Sequence, residues 1–340
     1  MKKELRIYSQ IPGPKALNEN ITFKEFVIKI ARLSEGFNFD GSLIFFNYKM
    51  YDPWSIASIV LENTEKLTPL VAVQPNTINP FMLGKIVQSL SNLYNRRIDL
   101  NMITGNSAIE LSQINDRLNH QERYDRLVEY IKILKMIFSK KHEEVSFSGN
   151  YYNYKSLVME PKLQNKNYPM FFVPGASSTS IAISKKYADV ALTRPQPIEV
   201  FKKEYSTKFN DSDTNLGIRI GIIARALSKE AWSVARNLFG VTKEGKERSK
   251  SEIKNGKTIS NLIMAKTAND KELYDDIYWM GAYLSGNNNN PYLVGSYEEV
   301  AKYLMRYIKL GVNIILIPDH YSEEMFFHTD KVFSILRNIN

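Results

Sequence analysis

Cysteine is absent from this 340-residue chain, and disulfides, thiolate metal sites and a cysteine nucleophile are absent with it. Histidine is scarce. His120, His142, His320 and His328 are the four present, and none has H-x-x-x-H or facial-triad spacing, so no metal is expected. No apolar run reaches the ~18 residues of a membrane-spanning helix. The opening MKKELRIYSQIPGPK loses its apolar stretch at Ser9, Gln10 and Pro12, which fails as a secretory signal. A cytoplasmic protein with no membrane partner is the expectation. No Walker lysine motif or G-x-G-x-x-G run follows a strand-like segment, which disfavours nucleotide binding of those two kinds.

What is present is an ordinary globular composition, 44% apolar and 24% charged, sufficient for a substantial core. Forty-five basic against 36 acidic residues leave a net charge of +9. A third of that excess sits in TKEGKERSKSEIKNGKTISN, residues 242–261, with six bases and three acids. Its mixed signs and lack of interleaved aromatics make a poor nucleic-acid footprint, and a solvated lysine-rich surface is expected.

Eight strand-like runs are each followed by a stretch of helical spacing. They are Leu5 to Ile11, Gly41 to Phe46, Leu67 to Pro75, Arg97 to Ile103, Met170 to Gly175, Asp189 to Arg194, Gly217 to Arg225 and Asn313 to Pro318. Eight βα units point to an α/β fold closed as a (β/α)8 barrel, one domain over residues 1–340. Two stretches exceed the repeat. Lys140 to Tyr168, after the fourth helix, reads as a hairpin excursion, and residues 228–296, after the seventh strand, read as an insertion or lid.

Polar groups stand at the carboxyl ends of these strands, where parallel α/β folds place their sites. Gln74-Pro75-Asn76 closes the third and Thr104-Gly105-Asn106 the fourth. Asn119 and Glu122 have capping-box spacing, which sets His120 and Tyr124 on one face at a helix N-terminus, suited to an anion or to a buried pair satisfying itself. FFVPGASSTS repeats the arrangement: Gly175 permits close backbone approach, and Ser177 and Ser178 open a helix whose hydroxyls and amides can form a phosphate cup.

In order along nearly the whole chain, DPWSIAS, TEKLTPLVAVQPNTINP, LNMITG, NHQERYDRLVEYIKIL, FSGNYY, FFVPGASS, ADVALTRPQP, GIRIGIIAR and LVGSYEEVAKYL resemble the bacterial-luciferase-like flavin monooxygenases, most nearly the alkanesulfonate monooxygenase branch. The resemblance implies a TIM barrel and a homodimer. It implies reduced FMN from a separate NAD(P)H:flavin reductase, and dioxygen used through a peroxyflavin to oxidise a small organic substrate. It assigns Thr104, His120, Tyr124, Ser177 and Ser178 to the ribityl chain and phosphate, with Ala72 and Gln74 near the isoalloxazine.

The chain departs from the alkanesulfonate pattern in its reactive positions. Met50 stands where that branch has cysteine, Gly221 where it has a histidine two residues after Arg219, and Arg194 where it has tryptophan. The branch's tyrosine after the eighth strand falls on Asp319, His320 or Tyr321, and residues 280–292 contain no arginine. Strand alternation would put Arg219 and Gly221 on one face with space beside the arginine. The expected catalytic set is Arg219, Arg194, His320 and Tyr321, acting on an alkanesulfonate or a specialised-metabolism intermediate. Deazaflavin-dependent hydride transfer on the same barrel and non-catalytic flavin binding are the competing readings.

Overall fold

The computed structural model describes residues 4–17, 20–105, 107–139, 143–255 and 258–339; His142, weighed above as a metal ligand, and Asn106 lie outside them. The first half runs β1 (Arg6–Gln10), α1 (Phe23–Gly36), β2 (Gly41–Ile44), α2 (Pro53–Asn63), β3 (Thr68–Val73), α3 (Pro80–Tyr94), β4 (Asp99–Met102), α4 (Ala108–Gln113) and α5 (His120–Phe138). An antiparallel hairpin, β5 (Glu144–Ser148) and β6 (Asn153–Val158), precedes β7 (Phe171–Pro174), α6 (Ser178–Tyr187), β8 (Val190–Thr193), α7 (Ile198–Glu204) and β9 (Asn215–Arg219).

A second group of elements follows: β10 (Gly221–Arg225), α8 (Ser228–Leu238), α9 (Lys243–Asn255), α10 (Ile259–Asp270), β11 (Leu273–Tyr274), β12 (Tyr278–Trp279), α11 (Gly281–Leu284) and β13 (Tyr292–Ser296). The chain ends with α12 (Tyr297–Lys309), β14 (Val312–Leu316) and α13 (Glu323–Ile339).

Eight parallel strands close into a barrel in the order β1-β14-β9-β8-β7-β4-β3-β2, as the eight apolar runs predict. Strands such as β4 and β8 are buried at every residue, because helices cover the outside while side chains fill the lumen. The helix starts follow local chemistry. Asn119 accepts from the Glu122 amide at 3.0 Å while the Glu122 carboxylate accepts from the Asn119 amide at 2.7 Å, so α5 begins on a full capping box.

The floor of the lumen is filled by side chains. Tyr8, Leu43, Leu70, Phe172, Val190, Leu192, Ile314 and Leu316 form one buried cluster, and Tyr8 donates to Asp99 at 3.0 Å. Gly41 makes the ring fit: a Cβ there would lie 2.5 Å from the Tyr8 ring and 2.6 Å from the Thr68 carbonyl oxygen.

The seventh strand is shorter than its apolar pattern predicts. The chain breaks at Ile220; β9 stays in the barrel, whereas β10 joins the sheet β10-β13-β12-β11. The Ile220 amide still donates to Leu316 in β14 at 3.1 Å, but the Gly221 amide donates to Pro291 at 2.9 Å, where the chain has switched partners. The space expected beside Arg219 is correspondingly filled. A Cβ on Gly221 would meet the Tyr292 ring at 2.3 Å, so glycine is what lets that ring pack across the break. Among the described residues no helix is long and apolar enough to cross a membrane.

Candidate active site

The carboxyl ends of the barrel strands form a rim with two chemically different halves. The first lies over the neighbouring strands β3, β4 and β7. Alternation from Leu70 turns Ala72 and Gln74 into the lumen, and both are buried. Ala72 pairs in register with Asn101, whose Oδ1 is buried and accepts no hydrogen bond from the described residues. Gln74 Nε2 donates to the Tyr48 hydroxyl at 3.3 Å. It also lies 2.8 Å from where a Cβ on Gly105 would be; Gly105 has φ +76, and half-buried Thr104 precedes it.

On the same half, the His120 and Tyr124 rings sit 5.0 Å apart at the start of α5. The Tyr124 hydroxyl is 3.5 Å from the Cβ position of Gly175, at φ +150 in the loop after β7. Ser177 caps α6 by accepting from the Ser180 amide at 3.1 Å, which leaves the Ser178 and Thr179 amides without helical acceptors. The structure therefore brings His120, Tyr124, Ser177 and exposed Ser178 to one stretch of rim, with Gln74 and Thr104 along the adjoining strand ends.

The second half lies over β8, β9 and β14 and is charged. Arg219 donates to Gln10 Oε1, while its buried Nε has no acceptor. Burial pulls its pKa down, opposed by the negative charge of Asp319; the guanidinium stays a cation. Asp319, held at φ +62, accepts from Asn288 at 2.9 Å and Tyr292 at 3.1 Å on one oxygen, and from Tyr321 at 2.9 Å on the other. Burial first, then Asp319, pushes both phenols upward, so each remains a neutral donor. Tyr292, Asn288 and Gln10 were not anticipated from the sequence. Gln10 lies 209 positions from Arg219, and nothing local in either segment signals the contact.

Arg194 differs from its expected role as a substrate ligand. It donates to Ser260 Oγ at 2.8 and 3.2 Å, Asn261 Oδ1 at 2.6 Å and the Asn289 carbonyl at 2.7 Å. Burial, then the neighbouring Arg219 charge, pushes its pKa down to about 10, so it remains charged at neutral pH. It latches α10 and the 285–290 loop onto the end of β8. Arg248 on α9 fixes that loop from above, donating to the carbonyls of Gly286 at 2.6 Å and of Tyr283 and Asn288 at 2.9 Å.

His320 requires a correction: it does not face the rim. It is 2% exposed, its Nε2 is 2.7 Å from Thr329 Oγ1 and its Nδ1 is 3.2 Å from the Pro318 carbonyl. It packs edge-on to Phe326 of α13. Burial pushes its pKa down to about 4. The unfolded chain, with a His pKa near 6.5, therefore binds the proton first. Stability from this site is complete above about pH 6.5 and falls as pH drops toward about 4, by on the order of 3 kcal/mol. Thermal melts of wild type and His320→Gln across that range check this; equal pH slopes in both would refute it.

Residues 9–313 match the family of luciferase-like monooxygenases. This chain belongs to that family. It is 39% identical over 329 residues, 96% of both chains, to the 4-(γ-L-glutamylamino)butanoyl-[BtrI acyl-carrier protein] monooxygenase BtrO of Niallia circulans. The same barrel occurs in the EDTA monooxygenase of Chelativorans sp. BNC1, with TM-score 0.75 at 13% identity over 99% of this chain and 94% of that one. It occurs again in the oxygenating constituent of 3,6-diketocamphane monooxygenase from Pseudomonas putida, solved with FMN, with TM-score 0.68 at 14% identity over 97% of each chain. The protein is a luciferase-like flavin-dependent monooxygenase.

Proposed function

We propose that this luciferase-like monooxygenase uses reduced FMN, delivered by a separate NAD(P)H:flavin reductase, and dioxygen to insert one oxygen atom into an acyl group carried as a thioester on an acyl-carrier protein. The observation that carries the reading is the 39% identity, over 96% of both chains, to a monooxygenase named for such a substrate. We propose a homodimer as its assembly, with residues 228–296 as the lid over the rim.

The rim fits a flavin phosphate on its own geometry. Gly175 lacks a side chain where one would collide with Ser180 at 2.6 Å and crowd the Tyr124 hydroxyl. The resulting cradle is bordered by His120, Tyr124 and the open first turn of α6, which favours an anion. Thr104, His120, Tyr124, Ser177 and Ser178 would hold the phosphate and ribityl chain, with Ala72 and Gln74 beside the ring. Bound reduced FMN supplies the electrons that activate dioxygen. Arg219, whose charge is held at the end of β9 by Gln10 and Asp319, would hold a thioester carbonyl oxygen on which negative charge accumulates. Tyr292 and Tyr321 keep Asp319 engaged, so its carboxylate balances the arginine instead of repelling the substrate. The filled floor excludes water from below.

His120→Ala and Ser178→Ala are each expected to weaken FMN binding by about 1 to 3 kcal/mol, read by fluorescence titration. Unchanged affinity in both would remove them from the phosphate site. For function, the 4-(γ-L-glutamylamino)butanoyl thioester of the BtrI carrier is incubated with enzyme, FMN, NADH, a flavin reductase and air. Intact-protein mass spectrometry should show the gain of one oxygen atom. The charge of Arg219 at the strand end, opposed among the described residues only by Asp319, favours a second reading, an alkanesulfonate substrate. Sulfite release with no thioester oxidation would establish that instead. Oxidation with a deazaflavin and no oxygen uptake would indicate hydride transfer.

A further inference from the structure

Helix α9 carries charge asymmetrically. Gly245, Arg248, Ser249 and Glu252 form its inner face: a Cβ on Gly245 would strike the Leu284 carbonyl, Arg248 holds the 283–288 carbonyls and Glu252 accepts from the Tyr283 hydroxyl at 3.1 Å. Lys243, Lys246, Lys250 and Lys254 are all exposed and fall within roughly 80° of the helix circumference. Exposed Glu244 and Glu247 occupy the neighbouring flank, and only Lys243 approaches one, Glu247 at 4.0 Å. Among the described residues Lys246, Lys250 and Lys254, each four positions apart, make no ion pair.

The end of the stripe is close in sequence to the latch on the rim. Lys254 stands four residues before Thr258, the cap of α10, whose first turn supplies Ser260 and Asn261 to Arg194. Ile253 and Ile259 are exposed along this stretch, at 37% and 45%. A basic row with apolar residues at its end, built on the helix whose other face holds the 283–288 loop, has the composition of a docking surface rather than of a plain solvated helix.

We infer that the α9 stripe of Lys246, Lys250 and Lys254, with Ile253 and Ile259, docks an acidic acyl-carrier protein and points its thioester arm into the rim. The inference rests on the carrier-thioester reading of the site. Unpaired lysines steer an acidic partner and set its register, the apolar pair supplies contact area, and the α9 face that holds the 283–288 loop couples the docked carrier to Arg194 and Asp319.

The test compares wild type with Lys246→Glu/Lys250→Glu/Lys254→Glu. A control, Lys66→Glu/Lys208→Glu/Lys309→Glu, makes the same charge change at exposed sites next to the opposite ends of barrel strands. Binding of fluorescent BtrI holo-carrier is read by anisotropy. Turnover is read with 4-(γ-L-glutamylamino)butanoyl thioesters of the carrier and of free pantetheine. The stripe variant should bind the carrier at least about ten-fold more weakly and lose kcat/KM on the carrier thioester by a similar factor. Pantetheine thioester turnover should not change, and the control should match wild type. Carrier binding that is absent from wild type, insensitive to the stripe, or equally weakened by the control overturns the docking surface. Stripe-dependent binding without oxidation of either thioester removes the proposed substrate and leaves the docking surface standing.

Discussion

Arg219→Ala should lower kcat/KM by about a hundred-fold or more, with the fold intact. Arg219 brings a full charge, fixed by Gln10, to a half-buried position, where a preorganised donor is worth far more than in water. Its loss does not strand a carboxylate, because Asp319 keeps Asn288, Tyr292 and Tyr321 as donors. Melting temperature should therefore shift little, and FMN affinity should hold, since the half of the rim proposed for the flavin lies over other strands. The substitution Arg219→Lys keeps the charge but loses the planar fork that reaches Gln10, so it should recover only part of the activity. Steady-state kinetics with saturating reduced FMN decide this. A loss below about three-fold would take Arg219 out of the reaction.

The second large effect is on the cofactor. Gly175→Val places a branched side chain at φ +150, with its Cβ 2.6 and 2.7 Å from Ser180 Oγ and Cβ. Backbone strain there costs on the order of 1 to 3 kcal/mol, and the side chain fills the cradle as well. FMN should bind about a hundred-fold more weakly, and Gly175→Ala should fall between. Fluorescence titration reads the affinity, and circular dichroism verifies the barrel. Wild-type FMN affinity in a folded Gly175→Val protein would place the phosphate elsewhere.

The barrel was legible because parallel strands buried on both faces are written as continuous apolar runs, and all eight runs entered the closed sheet. That same signal failed at the seventh strand. GIRIGIIAR keeps one hydrophobic rhythm across the break at Ile220, so only the partners of each residue, Leu316 and then Pro291, reveal two strands. The capping box at Asn119 and Glu122 is local and was readable. His320 was not, because sequence gives the residue's place after a strand but not whether its ring turns to the lumen or to Thr329. Tyr292 was missed for a related reason: its role depends on the absent side chain of Gly221, 71 positions earlier by their numbers, and on Asp319 in a third segment.

The plug formed by Tyr8, Phe172 and their neighbours makes the barrel a cul-de-sac. Whatever enters through the open end must leave by it, so cargo cannot pass through from back to front. A reactant delivered on a bulky escort would cork that doorway, and the cofactor must then be seated before the escort arrives and can depart only after it. On the proposed carrier-thioester reading, turnover would then follow a compulsory order.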